Sequence, residues 1–294
     1  MPLLAGKAGD TLDVTEDFAA VRLELDSRPE APALVRAALS GVAQLLEFDS
    51  ELFDDLKTAV SEACNNAVLY AYDGVAGPLV VGLEIRPDAI DATIRDWGSG
   101  IQHVGPSEER MGVGLAVISA LADRAEFSSP SDGGTEVRMT FVHQGPPIPV
   151  PERPPSTAAA AGVPPRLSGD VVVTVWPVGM LAGVLGRVSR VVAARTHLSL
   201  DRFPDIDLVT DAVGALAESA ASGSGITFAV AGAHKRLELT VGPFRAGVGA
   251  RLLDEGAITR AGSALAPLVG ELAFEPVDGS DVLRVVVEES RGSG

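Results

Sequence analysis

Eight of the chain's twenty prolines crowd into residues 144–168, QGPPIPVPERPPSTAAAAGVPPRLS. Proline fixes φ and removes a backbone donor, so this stretch runs extended and semi-stiff, spanning about 75 Å at roughly 3.1 Å per residue. Folding has to happen on either side of it. The sequence divides into a first part at 1–145, a linker at 146–168 and a second part at 169–290. Each part is long enough to bury a core of its own.

The two parts read in the same order. In the first, VRLEL (21–25) alternates as a strand, and RPEAPALVRAALSGVAQLLEF (28–48) has helical periodicity. The next segment, from Asp49 to Tyr72, starts on Asp49 or Ser50 as N-cap. It carries Phe53, Leu56, Val60, Ala63, Ala67 and Tyr70 as one apolar stripe. Strands at 79–85 and 89–97 follow, then a loop-rich stretch feeding a helix at 115–124. A hairpin of 125–129 and 135–143 turns on PSDGG. In the second part, strand 171–178, helices 180–195 and 205–221, strands 225–233 and 235–243, a helix at 262–272 and a closing hairpin at 273–289 repeat that order about 150 residues later. The expectation is a tandem duplication of low identity.

Charge is uneven: 24 acidic against 10 basic residues up to Gly145, and 16 against 13 beyond it, for a net −17. Phosphate backbones ask for Lys and Arg, so direct nucleic-acid binding is not expected; a basic protein partner fits better. Cys64 is the one cysteine, which excludes an internal disulfide and a cysteine metal site, and the four histidines show no ligand spacing. The N-terminus lacks the basic and apolar blocks of a signal peptide. The longest apolar run, from Val171, is broken by Pro177 and several glycines and is short for a membrane span. A cytoplasmic chain with no membrane association is expected.

The polar residues inside apolar runs carry the functional signal. Glu62 and Asn66 lie four apart in SEACNNAVLYAY, one turn from each other on a shared helix face. In DWGSG, Asp96 ends a strand, and Gly98 and Gly100 let backbone approach a flat ligand. In RMGVGL (110–115) a glycine pair opens a helix, where free N–H groups suit phosphate. It is no Walker loop, since no Lys-Ser/Thr follows, and no dinucleotide fingerprint, since a loop precedes it. Gly133-Gly134-Thr135 opens the last strand. Each signal alone is weak. A solvated helix edge explains Glu62 and Asn66 by themselves, and turn chemistry explains the glycines.

Taken in order, Glu-x-x-x-Asn on a helix, Asp-x-Gly-x-Gly after a strand, Gly-x-Gly at a helix and Gly-Gly-Thr before a strand resemble the GHKL ATP-binding superfamily over residues 18–143. AVSEACNNAVLYAY and EERMGVGL resemble its anti-sigma-factor serine kinases most. The resemblance implies an α+β fold, a two-layer α/β sandwich of Bergerat type with a mixed sheet and helices on one face. It implies ATP and Mg²⁺ as cofactors. Asn66 would ligate Mg²⁺, and Glu62 would orient or deprotonate the attacking hydroxyl. Asp96 would accept from the adenine amino group, with Gly98 and Gly100 shaping the adenine pocket and Thr135 supporting that contact. Gly112, Val113, Gly114 and Leu115 would line the phosphates, and Arg110 would offset charge near the γ-phosphate. Tyr70 departs from the histidine frequent in relatives, and the lid at 101–111 is short.

Placing Ala212-Val213 under Ala59-Val60 puts Ala215 at Glu62, Ser219 at Asn66, Val241 near Asp96 and Gly279-Ser280-Asp281 near the Gly-Gly-Thr. The second part is then expected to be a degenerate copy without catalytic residues, which gives a monomeric pseudo-dimer or a homodimer; the rival reading is a detached domain that binds something else. The expected function is that of a protein serine/threonine kinase and anti-sigma factor. It would switch partners between a sigma factor and an anti-anti-sigma (STAS-type) protein that it phosphorylates. The alternative is a nucleotide-responsive protein that sequesters a regulatory partner without phosphoryl transfer. A histidine-kinase fragment is disfavoured: the segment before the domain is too short for a dimerisation helix hairpin, and it holds no phospho-acceptor histidine.

Overall fold

The computed structural model describes residues 19–46, 48–100, 108–150, 167–250 and 268–289, with the backbone course alone for 108–112. The first half runs β1 (Ala19–Asp26), α1 (Ala31–Leu45), α2 (Ser50–Tyr70), β2 (Pro78–Ile85), β3 (Ala89–Asp96), α3 (Glu108–Leu121), β4 (Arg124–Ser128), β5 (Glu136–Val142). The second runs β6 (Val171–Trp176), α4 (Leu181–Ala193), α5 (Phe203–Ala220), β7 (Ile226–Ala233), β8 (Arg236–Phe244), β9 (Glu271–Val277), β10 (Ser280–Glu288).

Local chemistry accounts for the elements. α1 opens with Pro32 in its first turn, where a missing N–H costs nothing. α2 is capped by Asp49, whose carboxylate accepts from the N–H groups of Glu51 (2.9 Å) and Leu52 (3.3 Å). Along β1 and β2 every second residue is buried, so Leu23, Leu25, Leu79, Val81 and Leu83 face the helices. Arg22, Glu84, Thr93, Arg95 and Arg138 line an open polar trough across the first-half strands.

All ten strands form one sheet, in the order β4-β5-β3-β2-β1-β6-β7-β8-β10-β9. Every neighbouring pair is antiparallel, so the mixed sheet expected from the resemblance is not what forms. Two helices join β1 to β2, so the chain reverses three times between them, and an odd number of reversals returns it antiparallel. The single helix α3 makes β4 run with β3, but β5 lies between these two and pairs antiparallel with both.

The halves meet through β1 and β6, with Leu23 opposite Val173. Strand order is symmetric about that pair. Beneath it α1 packs on α4 so closely that a Cβ on Gly41 would fall 2.6 Å from the Gly183 carbonyl oxygen. Glu30 and Arg195 form an ion pair across the same seam, at 2.6 Å.

Three expectations change in detail. α3 starts at Glu108 rather than Leu115, so the glycine pair sits within its first turns. Of the helix expected at 262–272, residues 262–267 lie outside the described residues, and Glu271 and Leu272 belong to β9. The alignment of the halves also moves. The buried residues Leu56, Ala59, Val60, Ala63, Cys64 and Ala67 of α2 correspond to Ile206, Val209, Thr210, Val213, Gly214 and Ala217 of α5, always 150 apart. Glu62 therefore corresponds to Ala212 and Asn66 to Leu216, not to Ala215 and Ser219. Sheet register likewise sets Pro243 rather than Val241 at the Asp96 position, because Val81 pairs with Ile94 just as Phe228 pairs with Val241. A slip of three residues is almost one helical turn, which is why sequence periodicity alone did not detect it.

Of the proline-rich stretch, residues 151–166 lie outside the described residues. The part before them is packed: Ile148 is buried and its N–H donates to the Pro87 carbonyl at 2.8 Å. Among the described residues no helix is long and apolar enough to cross a membrane.

Candidate functional site

α2 packs against β3 and β5 through its apolar stripe and against α3 on a second side. Glu62 and Asn66 fall on that second side, half-buried. A Cβ built on Gly114 of α3 would lie 3.2 Å from both terminal atoms of the Asn66 amide and 3.5 Å from Glu62 Oε2. The carboxylate and the amide thus share one small patch, left open by the absence of a side chain at Gly114.

Asn66 is also on the wall of a pocket between α2, the end of β3 and the start of β5, together with Tyr70, Asp96, Gly100, Leu115 and Thr135. Ala63, Ala67, Ile94, Phe127 and Val137 make its apolar lining. An apolar slot with few polar groups suits a flat heteroaromatic ring.

Asp96 is the polar anchor. It is the last inward-facing residue of β3 and is 5 % exposed. Its Oδ1 accepts from the N–H groups of Gly98 (2.9 Å) and Thr135 (3.1 Å), while its own N–H donates to the Thr135 carbonyl at 3.0 Å. Both described bonds to the carboxylate fall on Oδ1, which leaves Oδ2 as the acceptor for a ligand donor.

Gly98 is set by close approach: a Cβ there would stand 1.9 Å from the Ala71 carbonyl oxygen at the end of α2. The neighbouring Ser99 N–H donates to that same oxygen at 2.8 Å. Tyr72 ties the two segments further, its hydroxyl accepting from the Trp97 N–H (2.8 Å) and donating to the Pro78 carbonyl (2.5 Å).

The expected residues are not equally represented. Glu62, Asn66, Asp96, Gly98, Gly100, Gly114, Leu115 and Thr135 converge on this corner of the first half. Val113 does not, since its side chain is 63 % exposed. Arg110 and Gly112 lie on α3, but their side chains and surroundings are outside the described residues, as are residues 101–107 of the expected lid.

The donor set suits a hard cation bound with phosphate. Asn66 offers an amide oxygen and Glu62 a carboxylate one turn away. Among the described residues no group of three or more His, Cys, Asp or Glu side chains converges as a metal cage. Mg²⁺ is held this way, by one or two protein oxygens with phosphates and waters completing the octahedron.

Cys64, between the two, is fully buried under α1, and burial pushes its thiol up to about 12 against the pull of nearby Arg36. It faces the core and contributes packing.

Sequence reasoning missed a group on the opposite face of β3. Arg95 reaches Asp132 and the Gly133 carbonyl in the turn before β5, and Trp97 Nε1 donates to the same carboxylate at 3.2 Å. Desolvation is the largest single influence on the Asp132 carboxyl and raises it, but hydrogen bonds from Trp97 and its own backbone, with the charge and hydrogen bond of Arg95, together outweigh it and hold the group below the usual range. The signal was present as an arginine in the outward register of a strand, two residues from PSDGG in the folded sheet but 35 or more in the chain.

Comparison with known proteins agrees with this geometry. Residues 25–141 match the family model described as histidine kinase-like ATPase domain. The chain is 36 % identical over 124 residues to a serine-protein kinase RsbW of Oceanobacillus iheyensis, covering 37 % of this chain and 78 % of that protein. It is 35 % identical over 135 residues to the serine-protein kinase RsbW of Listeria innocua, covering 41 % and 85 %. To an anti-sigma F factor of Caldanaerobacter subterraneus it is 31 % identical over 130 residues, covering 41 % and 91 %. With the Glu62–Asn66 turn, the Asp96 anchor and Gly114 of α3 assembled in that matched region, the chain belongs to the histidine kinase-like ATPases, among the anti-sigma-factor serine kinases.

Proposed function

We propose that the first half transfers the γ-phosphoryl group of ATP to a serine of an anti-anti-sigma (STAS-type) protein, and that the chain sequesters a sigma factor when that partner is modified. The observation that carries this reading is the shared patch of Glu62 and Asn66 against Gly114, beside the pocket anchored by Asp96. A relay of this kind is positioning plus electrostatics, since phosphoryl transfer needs little covalent chemistry from the protein.

Asp96 Oδ2 accepts from the adenine amino group, and the apolar walls of the pocket exclude water around the ring. Asn66 offers its side-chain oxygen to Mg²⁺, which, when bound, would neutralise charge on the β- and γ-phosphate oxygens. Glu62, one turn away, orients the serine hydroxyl and accepts its proton. Backbone along Gly112–Leu115 lies next to the phosphates, and Arg110 at the start of α3 offsets the charge developing at the γ-phosphate.

The second half is read as a degenerate copy of the first. The repeated element order, the strand order mirrored about Leu23 and Val173, and Ala212, Leu216 and Pro243 at the positions of Glu62, Asn66 and Asp96 support this. Its place beside β1 is where a second subunit would add its strand, so the chain acts as a pseudo-dimer of one active and one inactive module. Light scattering of the purified chain checks this, with the mass of one 30.2 kDa chain expected.

The kinase reading is tested by incubating the full chain with labelled ATP and candidate STAS-type proteins and mapping phosphoserine by mass spectrometry. Glu62→Ala should lower transfer by about 100-fold or more, the range for loss of a general base, while ATP affinity stays within about threefold. An unchanged transfer rate counts against the role of Glu62. ATP-dependent capture of the partner without any phosphoserine would favour sequestration without chemistry.

A further inference from the structure

Asp96 can present Oδ2 to a base only while Oδ1 is pinned by two N–H groups from different segments, Gly98 after β3 and Thr135 at the start of β5. Gly98 is braced by the end of α2. Thr135 depends on the turn from Pro130 to Gly134, which is closed by the Gly133 N–H donating to the Pro130 carbonyl at 2.9 Å. What holds that turn onto β3 lies on the far side of the sheet.

Arg95 points out of β3 away from the pocket, yet it is 8 % exposed. One guanidinium nitrogen donates to the Asp96 carbonyl at 2.6 Å. The other donates to Asp132 Oδ1 at 2.8 Å and to the Gly133 carbonyl at 2.7 Å. Its Cζ lies 4.8 Å from the Trp97 ring centroid, and Trp97 Nε1 reaches the second oxygen of Asp132. The group therefore joins the residue before Asp96, the residue after it and the turn that carries Thr135. Only a planar fork with several donors spans three acceptors in this way; an ammonium group is a single point charge. Burying an arginine costs free energy that an apolar residue would avoid if the sheet face needed packing alone. The second half is consistent: where Pro243 replaces the carboxylate, sheet register puts Gly242 at the Arg95 position.

We propose that Arg95 is a positioning residue for adenine recognition: through Asp132 and Gly133 it fixes the turn that delivers the Thr135 N–H to Asp96, and so aims the Asp96 carboxylate at the base. This rests on the reading of Asp96 as the acceptor for the adenine amino group.

The test is calorimetric binding of two Mg²⁺-nucleotides to the full chain: ATP, and purine riboside triphosphate, which is ATP without its 6-amino group. Arg95→Ala is expected to weaken ATP about tenfold, as for loss of a charge-assisted contact, and the amino-free nucleotide less than about threefold. Asp132→Ala removes the other end of the clamp from a turn whose carboxylate is 54 % exposed, so this variant folds even should Arg95→Ala not; it is expected to lower ATP preference in the same direction. Arg95→Lys should fall between wild type and Arg95→Ala. Equal loss for both nucleotides in Arg95→Ala and Asp132→Ala, or no loss in either, overturns the proposal. Asp96→Asn separates the two levels: if it keeps full preference for ATP, the adenine reading of Asp96 fails, whatever Arg95 does.

Discussion

The Asn66 amide lies 3.2 Å from where a Cβ on Gly114 would stand, so α3 rests directly on the turn of α2 that holds Glu62 and Asn66. A methyl group there has to push the amide aside. Gly114→Ala gains about 1 kcal/mol of helix propensity, so the fold should tolerate it. Mg-ATP affinity should nevertheless fall by about tenfold, since a misplaced ligand of this kind costs on the order of 1–2 kcal/mol. Parallel melting and calorimetric titration of the variant check this; affinity equal to wild type would mean that Asn66 is not held for the nucleotide.

Tyr72 makes a separate prediction. Its hydroxyl bridges the Trp97 N–H and the Pro78 carbonyl, tying the end of α2 to the loop after β3. Tyr72→Phe keeps the ring but leaves a donor and an acceptor without their partner, which should cost about 1–2 kcal/mol. Denaturant unfolding measures the loss, and no change in midpoint would place this loop's anchorage elsewhere.

At the seam between the halves, Gly41 and Gly183 bring α1 and α4 into backbone contact. Gly41→Ala would normally stabilise a helix by about 1 kcal/mol. Here the new Cβ would meet Gly183 O at 2.6 Å and Val184 Cα at 2.7 Å, backbone atoms that cannot rotate away. Overpacking of about 1–3 kcal/mol then wins, and the melting temperature should drop. A rise would contradict the close α1–α4 packing.

Cys64 predicts an alkaline dependence. Burial raises its thiol from the ordinary 9.0 to about 12, so the folded chain keeps it neutral where the unfolded chain ionises it. Stability from this group is fully present below pH 9.0 and is lost as pH rises towards about 12, at up to about 1.4 kcal/mol per pH unit. Cys64→Ser should flatten that slope. Iodoacetamide at pH 8 should leave the native thiol unmodified and label it only on unfolding, as seen by intact mass.

The periodicity of α2, its Asp49 cap and the strands from β1 to β5 were legible because each depends on residues a few positions apart. The start of α3 was not legible. Gly112 and Gly114 read as the opening of a helix, and only the contact of Gly114 with Asn66 explains glycine inside it. The three-residue slip between the halves had a similar origin: Ala212-Val213 resembles Ala59-Val60 locally, but burial against the sheet selects Val209-Thr210. Asp96 was visible as a carboxylate before glycines and Thr135 as the residue after a glycine pair, whereas the hydrogen bonds that join them and the Arg95–Asp132 clamp became visible only once β3 and β5 paired.

By itself the order of residues determined which chemistry is available: a carboxylate and an amide one helical turn apart, glycines where backbone must come close, and a second run of elements without those side chains. Local spacing suffices for that, because helical and strand periods are properties of the chain itself. Tertiary structure decided where those groups meet and how the halves join. One antiparallel sheet through Leu23 and Val173, and a pocket closed by segments far apart in sequence, follow from burial and strand pairing between distant residues, and no local pattern encodes them.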